Sequence, residues 1–410
     1  MADHRYPTRL ALYLALIQFF LLIGWTVYAV YLPALLESVG IERRWTAWVL
    51  LADQAIFACF DVLAGFIAAR AFRLYARIGP VVIAVTAVSC IAFLALPWLP
   101  MIGTNAVFFL GIVALWAIGS AALRSPVFAL LARHASAPSM PGLAALALLG
   151  MGLAAAVSPY LGLLLKGQDP RLPFLLASLA LWLTATGLVV AERRATGVPP
   201  ESPPSVDERR LPLVGWFTAL LLAAVAVQII VFLYSGPRYS RELGADWLPW
   251  LLPLFWVAFS LVSFPARRLV KRWGTGGCFL SGSLLGVAGL LVAMLPGLTA
   301  ALTGFTLAGL GWGLALPSAF GFAAASGHAD RVALHLGLLF AALAVATLLR
   351  IGITLSGWSA QAAGMPSIVW VAALSWLLAA LLIAWLLGFG RRNIRSVRSG
   401  DRRQAPPADW

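Results

Sequence analysis

Along the 410-residue chain, apolar residues run in long windows and polar residues gather in short clusters between them. A membrane-spanning helix needs about 20 predominantly apolar residues. Windows of that kind fall near residues 10–35, 46–69, 80–99, 104–130, 142–165 and 172–191, and again near 212–235, 247–266, 276–296, 299–325, 332–356 and 367–389. The pattern predicts twelve transmembrane helices and an all-α polytopic membrane protein. The division between the ninth and tenth windows rests only on Pro296 and Gly297. The first window follows Arg5 and Arg9, as the core of a signal peptide would. It is too long for that role and no small-x-small cleavage site follows, so it reads as a retained span.

Composition agrees with the pattern. The chain is 62% hydrophobic and 11% charged, with a mean hydropathy of +0.93. Soluble globular chains run about 45–50% apolar and about 25% charged. A soluble enzyme, a disordered chain and a disulfide-stapled secreted domain are excluded, and the partner of most of the surface is the lipid bilayer.

The formal charge of +14 is distributed as a membrane protein distributes it, in short clusters between apolar runs. No continuous basic stripe for nucleic acid is present. With the N-terminus inside, the inner side holds 22 Lys and Arg, counting Arg124 near the inner end of span four, and outer loops hold 6, while Arg350 lies within a span. The positive-inside rule then places both termini in the cytoplasm. All basic residues but Lys166 and Lys271 are arginines, which with the Ala and Gly excess suggests a GC-rich bacterial genome and a bacterial inner membrane. Cys59, Cys90 and Cys278 lie in apolar runs at unrelated spacing, and His4, His134, His328 and His335 show no ligand spacing. No metal or cofactor is expected.

One long polar stretch interrupts the pattern. Residues 192–210 contain Pro199-Pro200-Glu201-Ser202-Pro203-Pro204, which can neither span nor pack, and they read as a flexible cytoplasmic linker. The linker divides the chain into a first six-helix half, 1–191, and a second, 211–390, followed by a basic cytoplasmic tail, 391–410. Short correspondences recur at an offset of about 191–195 residues: Arg77-Ile78-Gly79 with Arg272-Trp273-Gly274, Pro126 with Pro317, His134-Ala135 with His328-Ala329. Internal repeats of this kind are common among secondary transporters.

On these residues the chain resembles the major facilitator superfamily over essentially its whole length. The likeness rests on six plus six spans, inside termini, the central linker, and basic loops after spans two and eight. Gly65 and Arg70 match the family's Gly-x-x-x-Asp-Arg pattern, with Ala69 at the acidic position. The second-half equivalent is Lys271-Arg272-Trp273-Gly274, and span five matches the antiporter pattern only at Pro159 and Gly162. The resemblance implies that Gly65, Arg70, Arg77, Gly79, Arg272 and Gly274 form the cytoplasmic loop motif. It also implies that spans two and eleven face one another and that spans one, four, seven and ten line a central cavity.

Ionisable residues within spans are costly unless paired or wetted, so they are functional candidates. Four stand out: Asp53, Asp61, Arg124 and Arg350. At a rise of about 1.5 Å per residue, Asp53 and Arg350 each lie roughly 10 Å below the outer surface. They are expected to form a salt bridge that closes an outer gate. Asp61 and Arg124 each lie roughly 13 Å from the inner surface, and are expected to meet, as a fixed structural pair or as a proton-coupling site. A carboxylate that alternates between an arginine and another environment changes its proton affinity, which gives a route to proton coupling.

Polar and aromatic residues on the cavity-lining spans are the solute-contact candidates: Gln18, Trp25 and Tyr28 on span one, Trp116 on span four, Gln228 and Tyr234 on span seven, and Trp312 on span ten. With 17 Trp in the chain, interfacial anchoring and packing are the competing roles.

The expected function is a monomeric secondary transporter, a symporter or antiporter, moving a small organic solute by alternating access with a proton as coupling ion. No phosphate-binding loop of the ATPase type is present. An intramembrane arginine left unpaired in one state would receive an organic anion. The rivals are a polytopic membrane enzyme and a non-transporting receptor built on a transporter fold.

Overall fold

A computed structural model describes residues 6–75, 78–135, 139–195, 213–325, 329–361 and 364–401, and every regular element among them is helical. In chain order these are α1 (Tyr6–Ser38), α2 (Thr46–Tyr75), α3 (Gly79–Ala95), α4 (Ala106–Ser120), α5 (Ser125–Arg133), α6 (Met140–Leu165) and α7 (Arg171–Ala195). After the linker come α8 (Leu213–Ile229), α9 (Ser235–Leu243), α10 (Leu248–Leu251), α11 (Pro253–Leu261), α12 (Ala266–Met294), α13 (Leu298–Ala324), α14 (Ala329–Leu355) and α15 (Gly364–Asp401). Short 3-10 turns join several of them, and a π-helical turn, Ile230–Tyr234, joins α8 to α9.

Among the described residues, ten helical stretches are long and apolar enough to cross a membrane. The third and eighth expected windows fall on shorter apolar helices, α3 and the segment Ala245–Leu261. Proline accounts for the shortening: Pro97 and Pro100 follow α3, and Pro253 opens α11 beside α10. Proline lacks the N–H that would continue the helix. The ninth and tenth windows separate as expected, with Gly297 at φ +93 between α12 and α13. Helix α15 runs beyond its expected end through the Arg-rich stretch to Asp401, consistent with arginine's good helix propensity.

The bundle has two ends. One carries Glu192, Ile78 and His134, the other Trp45, Gly103 and Gly167. Helices before residue 196 meet those after 212 along two principal seams, α2 against α14 and α6 against α11 and α13, with α5 also packed on α14. Helices α1 and α8 scarcely touch. Within the earlier helices α1 and α6 approach so closely that a Cβ at Gly150 would lie 1.7 Å from the Ala15 carbonyl oxygen. Only glycine permits that crossing.

At the Glu192 end the seam is filled. Phe128 of α5 packs its ring 4.6 Å from Phe320 and 5.5 Å from Phe340. Pro141 lies against Gly321, Gly142 against Arg267, and Ser263 Oγ donates to the Ala145 carbonyl at 2.8 Å. A second apolar cluster, around Tyr28, Phe57, Phe93, Trp116 and Phe174, lies toward the Trp45 end and takes in Ala344 of α14.

Candidate functional site

Asp53, Phe57, Asp61 and Gly65 recur at every fourth position of α2 and therefore lie along one face. That face meets a break in the next long helix. Pro126 cannot continue α4, and Arg124 departs from helical backbone at φ −102, ψ −94. The break frees backbone groups that must find partners. Gln18 Nε2 of α1 donates to the Leu123 carbonyl at 2.9 Å, and Ser125 Oγ donates to the Asp61 carbonyl at 3.1 Å.

The non-helical geometry turns Arg124 into the interior. Its Nη2 lies 3.3 Å from Asp61 Oδ2, with the Asp61 side chain fully buried and that of Arg124 17% exposed. The guanidinium also stands 4.8 Å from the Phe57 ring centroid and 5.2 Å from that of Phe340 on α14. Neither Asp61 carboxylate oxygen accepts a hydrogen bond. The pair is thus a charge contact without aligned donors, at the seam between the two sets of helices.

The same seam brings α2 and α14 into backbone contact. A Cβ at Gly65 would lie 2.6 Å from the Ala333 carbonyl oxygen, and a Cβ at Gly337 would lie 2.6 Å from the Asp61 carbonyl oxygen. Gly65, expected as a loop-motif residue, here permits a helix crossing.

The expected salt bridge between Asp53 and Arg350 is not formed in this structure. Asp53, 1% exposed, accepts the Tyr28 hydroxyl at 2.7 Å on Oδ2. It faces α1 and α4 because it shares its α2 face with Phe57. An open niche of about 250 Å³ between α2 and α4 reaches it, walled by Trp48, Ile56, Leu110 and Val113. Arg350 turns the other way, toward α8, where its Nε donates to Gln228 Oε1 at 3.1 Å. Its guanidinium lies 4.7 Å from the Phe232 ring centroid.

Of the solute-contact candidates, Gln18, Tyr28, Trp116, Tyr234 and Trp312 are buried, while Trp25 and Gln228 are partly exposed. Tyr28 and Trp116 are packed rings with centroids 4.4 Å apart, and Trp25 stands edge-on to Tyr28 at 5.5 Å. Tyr234 donates to the Ala293 carbonyl at 3.1 Å. The five buried side chains pack into the walls of the bundle in this structure.

The loop-motif residues separate. Arg70 and Arg272 are exposed, Gly274 makes a corner in α12 at φ +71, and Arg77 lies outside the described residues. Gly79 opens α3, and its N–H donates to Glu192 Oε2 at 2.9 Å while the Ile78 N–H donates to Oε1 at 2.7 Å. A carboxylate at a helix N-terminus satisfies orphan donors and suits the helix dipole. Ala69 leaves the expected acidic position empty of charge, and Glu192, from the far end of α7, supplies a carboxylate at the start of α3. Nearby, Tyr6 donates to the Ala191 carbonyl at 2.8 Å and stands edge-on to His134 at 5.5 Å. Burial, and then the charge of Arg133, push the His134 imidazole down to about 4.

A second unforeseen group is Arg238. It is 6% exposed, and its Nε donates to the Ala293 carbonyl at 3.2 Å. Its Nη2 donates to Leu295 and Gly297 carbonyls at 2.8 and 3.0 Å, and Nη1 pairs with Glu242. The guanidinium closes the end of α12 and the turn into α13. Long-range caps of this kind leave no local spacing signal, so neither Glu192 nor Arg238 stands out in the sequence. Among the described residues, no three metal-capable side chains converge.

The family model described as Major Facilitator Superfamily matches residues 14–349. No curated protein sequence matches the chain. Among solved structures, the human organic anion transporter MFSD10 (TETRAN) is similar at a TM-score of 0.70 and 17% identity, over 92% of this chain and 99% of that one. A bacterial homologue of the iron transporter ferroportin, in an outward-facing state with soaked iron, gives 0.69 and 14%, over 92% and 98%. The transporter FucP in its outward conformation gives 0.67 and 14%, over 93% and 99%. At these identities the likeness is one of fold.

Proposed function

The chain belongs to the Major Facilitator Superfamily, and we propose that it is a secondary active transporter of a small organic solute, coupled to protons and working by alternating access. In this reading twelve spans form two six-helix halves, 1–191 and 211–390, joined by the cytoplasmic segment 192–210, whose first residues, 192–195, are the last turn of α7 and not free linker. Both termini and the basic tail, 391–410, lie in the cytoplasm of a bacterium whose inner membrane holds the protein as a monomer. The short helices α3 and Ala245–Leu261 supply the third and eighth spans.

The observation that carries the proposal is the placement of the Asp61–Arg124 pair. Arg124 is shared between Asp61 of the first half and the Phe340 ring of the second, and Gly337 rests on the Asp61 backbone. Rocking one half against the other therefore changes the surroundings of an intramembrane carboxylate that has a charge partner but no hydrogen-bond donor. A carboxylate that exchanges one environment for another exchanges a proton with it. The seam filled at the Glu192 end, with α1 and α8 apart, supports an opening toward the other side.

Reconstituted liposomes test the reading. A panel of small organic solutes is expected to yield one whose flux responds to an imposed pH gradient, and Asp61→Asn is expected to remove that response. Flux indifferent to the gradient would remove the proton from the mechanism. No flux across the panel would favour a receptor on a transporter fold.

A further inference from the structure

We infer that Arg350, presented by Gln228 and Phe232, is the anchoring cation of a binding site for a small organic monocarboxylate. The inference rests on the transport reading for its biological meaning, and on three observations of its own.

The first is what Arg350 lacks. Among the described residues of the spans, Arg124 has Asp61 and Arg238 has Glu242 with three carbonyls. Arg350 has a single hydrogen bond, from Nε to the neutral Gln228 amide. The carboxylate at similar depth, Asp53, is taken by Tyr28. A guanidinium in a membrane protein with unsatisfied donors is costly unless water or a ligand meets it.

The second is how Arg350 is held. With Nε on Gln228 and its face over Phe232 at 4.7 Å, the plane of the guanidinium is fixed, and its two Nη groups have no hydrogen-bond partner among the described residues. A pair of parallel N–H donors matches the two oxygens of one carboxylate. The π-helical turn beginning at Ile230 places Gln228 and Phe232 together on the side facing α14. Turns of this kind occur frequently at functional sites.

The third is what surrounds it. Arg350 of α14 is partly exposed and Phe232, in the turn that follows α8, is 52% exposed, and α8 itself scarcely touches α1. Among the described residues, the polar and ring partners of the guanidinium are one amide and one aromatic ring. One cation beside an apolar ring balances a monoanion with an apolar body, whereas a dianion would need a second cation.

The test uses the purified full chain and a panel of acetate, lactate, benzoate and phenylacetate, each against its amide. At about 10 mM, enough to fill a site of millimolar Kd, at least one carboxylate is expected to raise the thermal unfolding temperature while its amide does not. Arg350→Gln should raise the Kd at least about tenfold, and Arg350→Lys should retain part of the binding. Gln228→Leu, which keeps the charge, should weaken it a few-fold and guards against a folding defect in the first variant. Equal protection by carboxylate and amide, no protection by any carboxylate, or unchanged binding in Arg350→Gln overturns the inference. Liposome flux separates it from the transport reading. Carboxylate binding through Arg350 without flux of any solute would leave the site standing and remove transport. Flux that Arg350→Gln leaves unchanged, with no carboxylate bound, would do the reverse.

Discussion

Gly337 of α14 rests on the backbone of Asp61 in α2, so that a Cβ at Gly337 would come within 2.6 Å of the Asp61 carbonyl oxygen. The contact joins the two sets of helices at the level of the buried Asp61–Arg124 pair. Any side chain at position 337 must push α2 and α14 apart.

Gly337→Val is therefore expected to loosen this seam. Overpacking a tight contact costs about 1–3 kcal/mol. Alkylation of a cysteine introduced at the fully buried Ser125, with the exposed Cys59 replaced by serine, should accelerate in the valine variant. An unchanged rate would mean that the crossing relaxes without opening.

The separation of Asp53 from Arg350 makes a double-mutant prediction. Asp53→Asn and Arg350→Gln should add in their effect on thermal stability within about 0.5 kcal/mol, as independent sites do. Tyr28→Phe and Asp53→Asn share a hydrogen bond at 2.7 Å and should show a coupling of about 0.5–3 kcal/mol. A large coupling between Asp53 and Arg350 would contradict the arrangement seen here.

Glu192 is 4% exposed and receives two backbone N–H groups at the start of α3. Glu192→Ala should destabilise the protein by about 1.5–3 kcal/mol, the scale of hydrogen bonds to a charged group. Hydrogen exchange should quicken first at Ile78 and Gly79. Protection retained at both amides would remove the cap.

Arg238 makes an analogous case at the other end of the bundle. Arg238→Lys keeps the charge but cannot reach three carbonyls and Glu242 together. A loss on the order of 2–3 kcal/mol is expected, measured as a lower unfolding temperature. A neutral result would show that water replaces the lost donors.

His134 predicts a pH effect. Its imidazole is held at about 4 against an ordinary 6.5, so the folded protein keeps it neutral while the unfolded chain protonates it. Between these values the unfolded state binds more protons, and stability falls with falling pH. The contribution is fully present above 6.5 and is lost as pH drops toward 4. The unfolding temperature of the natural chain should fall more between pH 7 and pH 5 than that of His134→Phe.

Much of this architecture was legible in the sequence because lipid imposes a simple code. Apolar windows mark the helices, and each of the twelve windows coincides with a helical segment, two of them shortened by proline. The meeting of Asp61 with Arg124 was also legible, since rise per residue fixes depth, and two opposite charges at one depth in a low-dielectric bundle attract. Rise alone says nothing of direction around the helix axis. Asp53 and Arg350 share a depth, yet their side chains leave α2 and α14 toward different neighbours. That choice depends on where Tyr28 and Gln228 stand, which only the packed bundle decides. The same holds for Glu192 beneath α3 and Arg238 beneath α12, each joined to backbone groups tens of residues away. The sequence by itself determined the solvent, the helices and the place of each charge along its helix, because these follow from composition and helical rise. Tertiary structure decided which charges meet, because pairing depends on azimuth and on the close crossings at Gly65, Gly337 and Gly150 that set every helix in place.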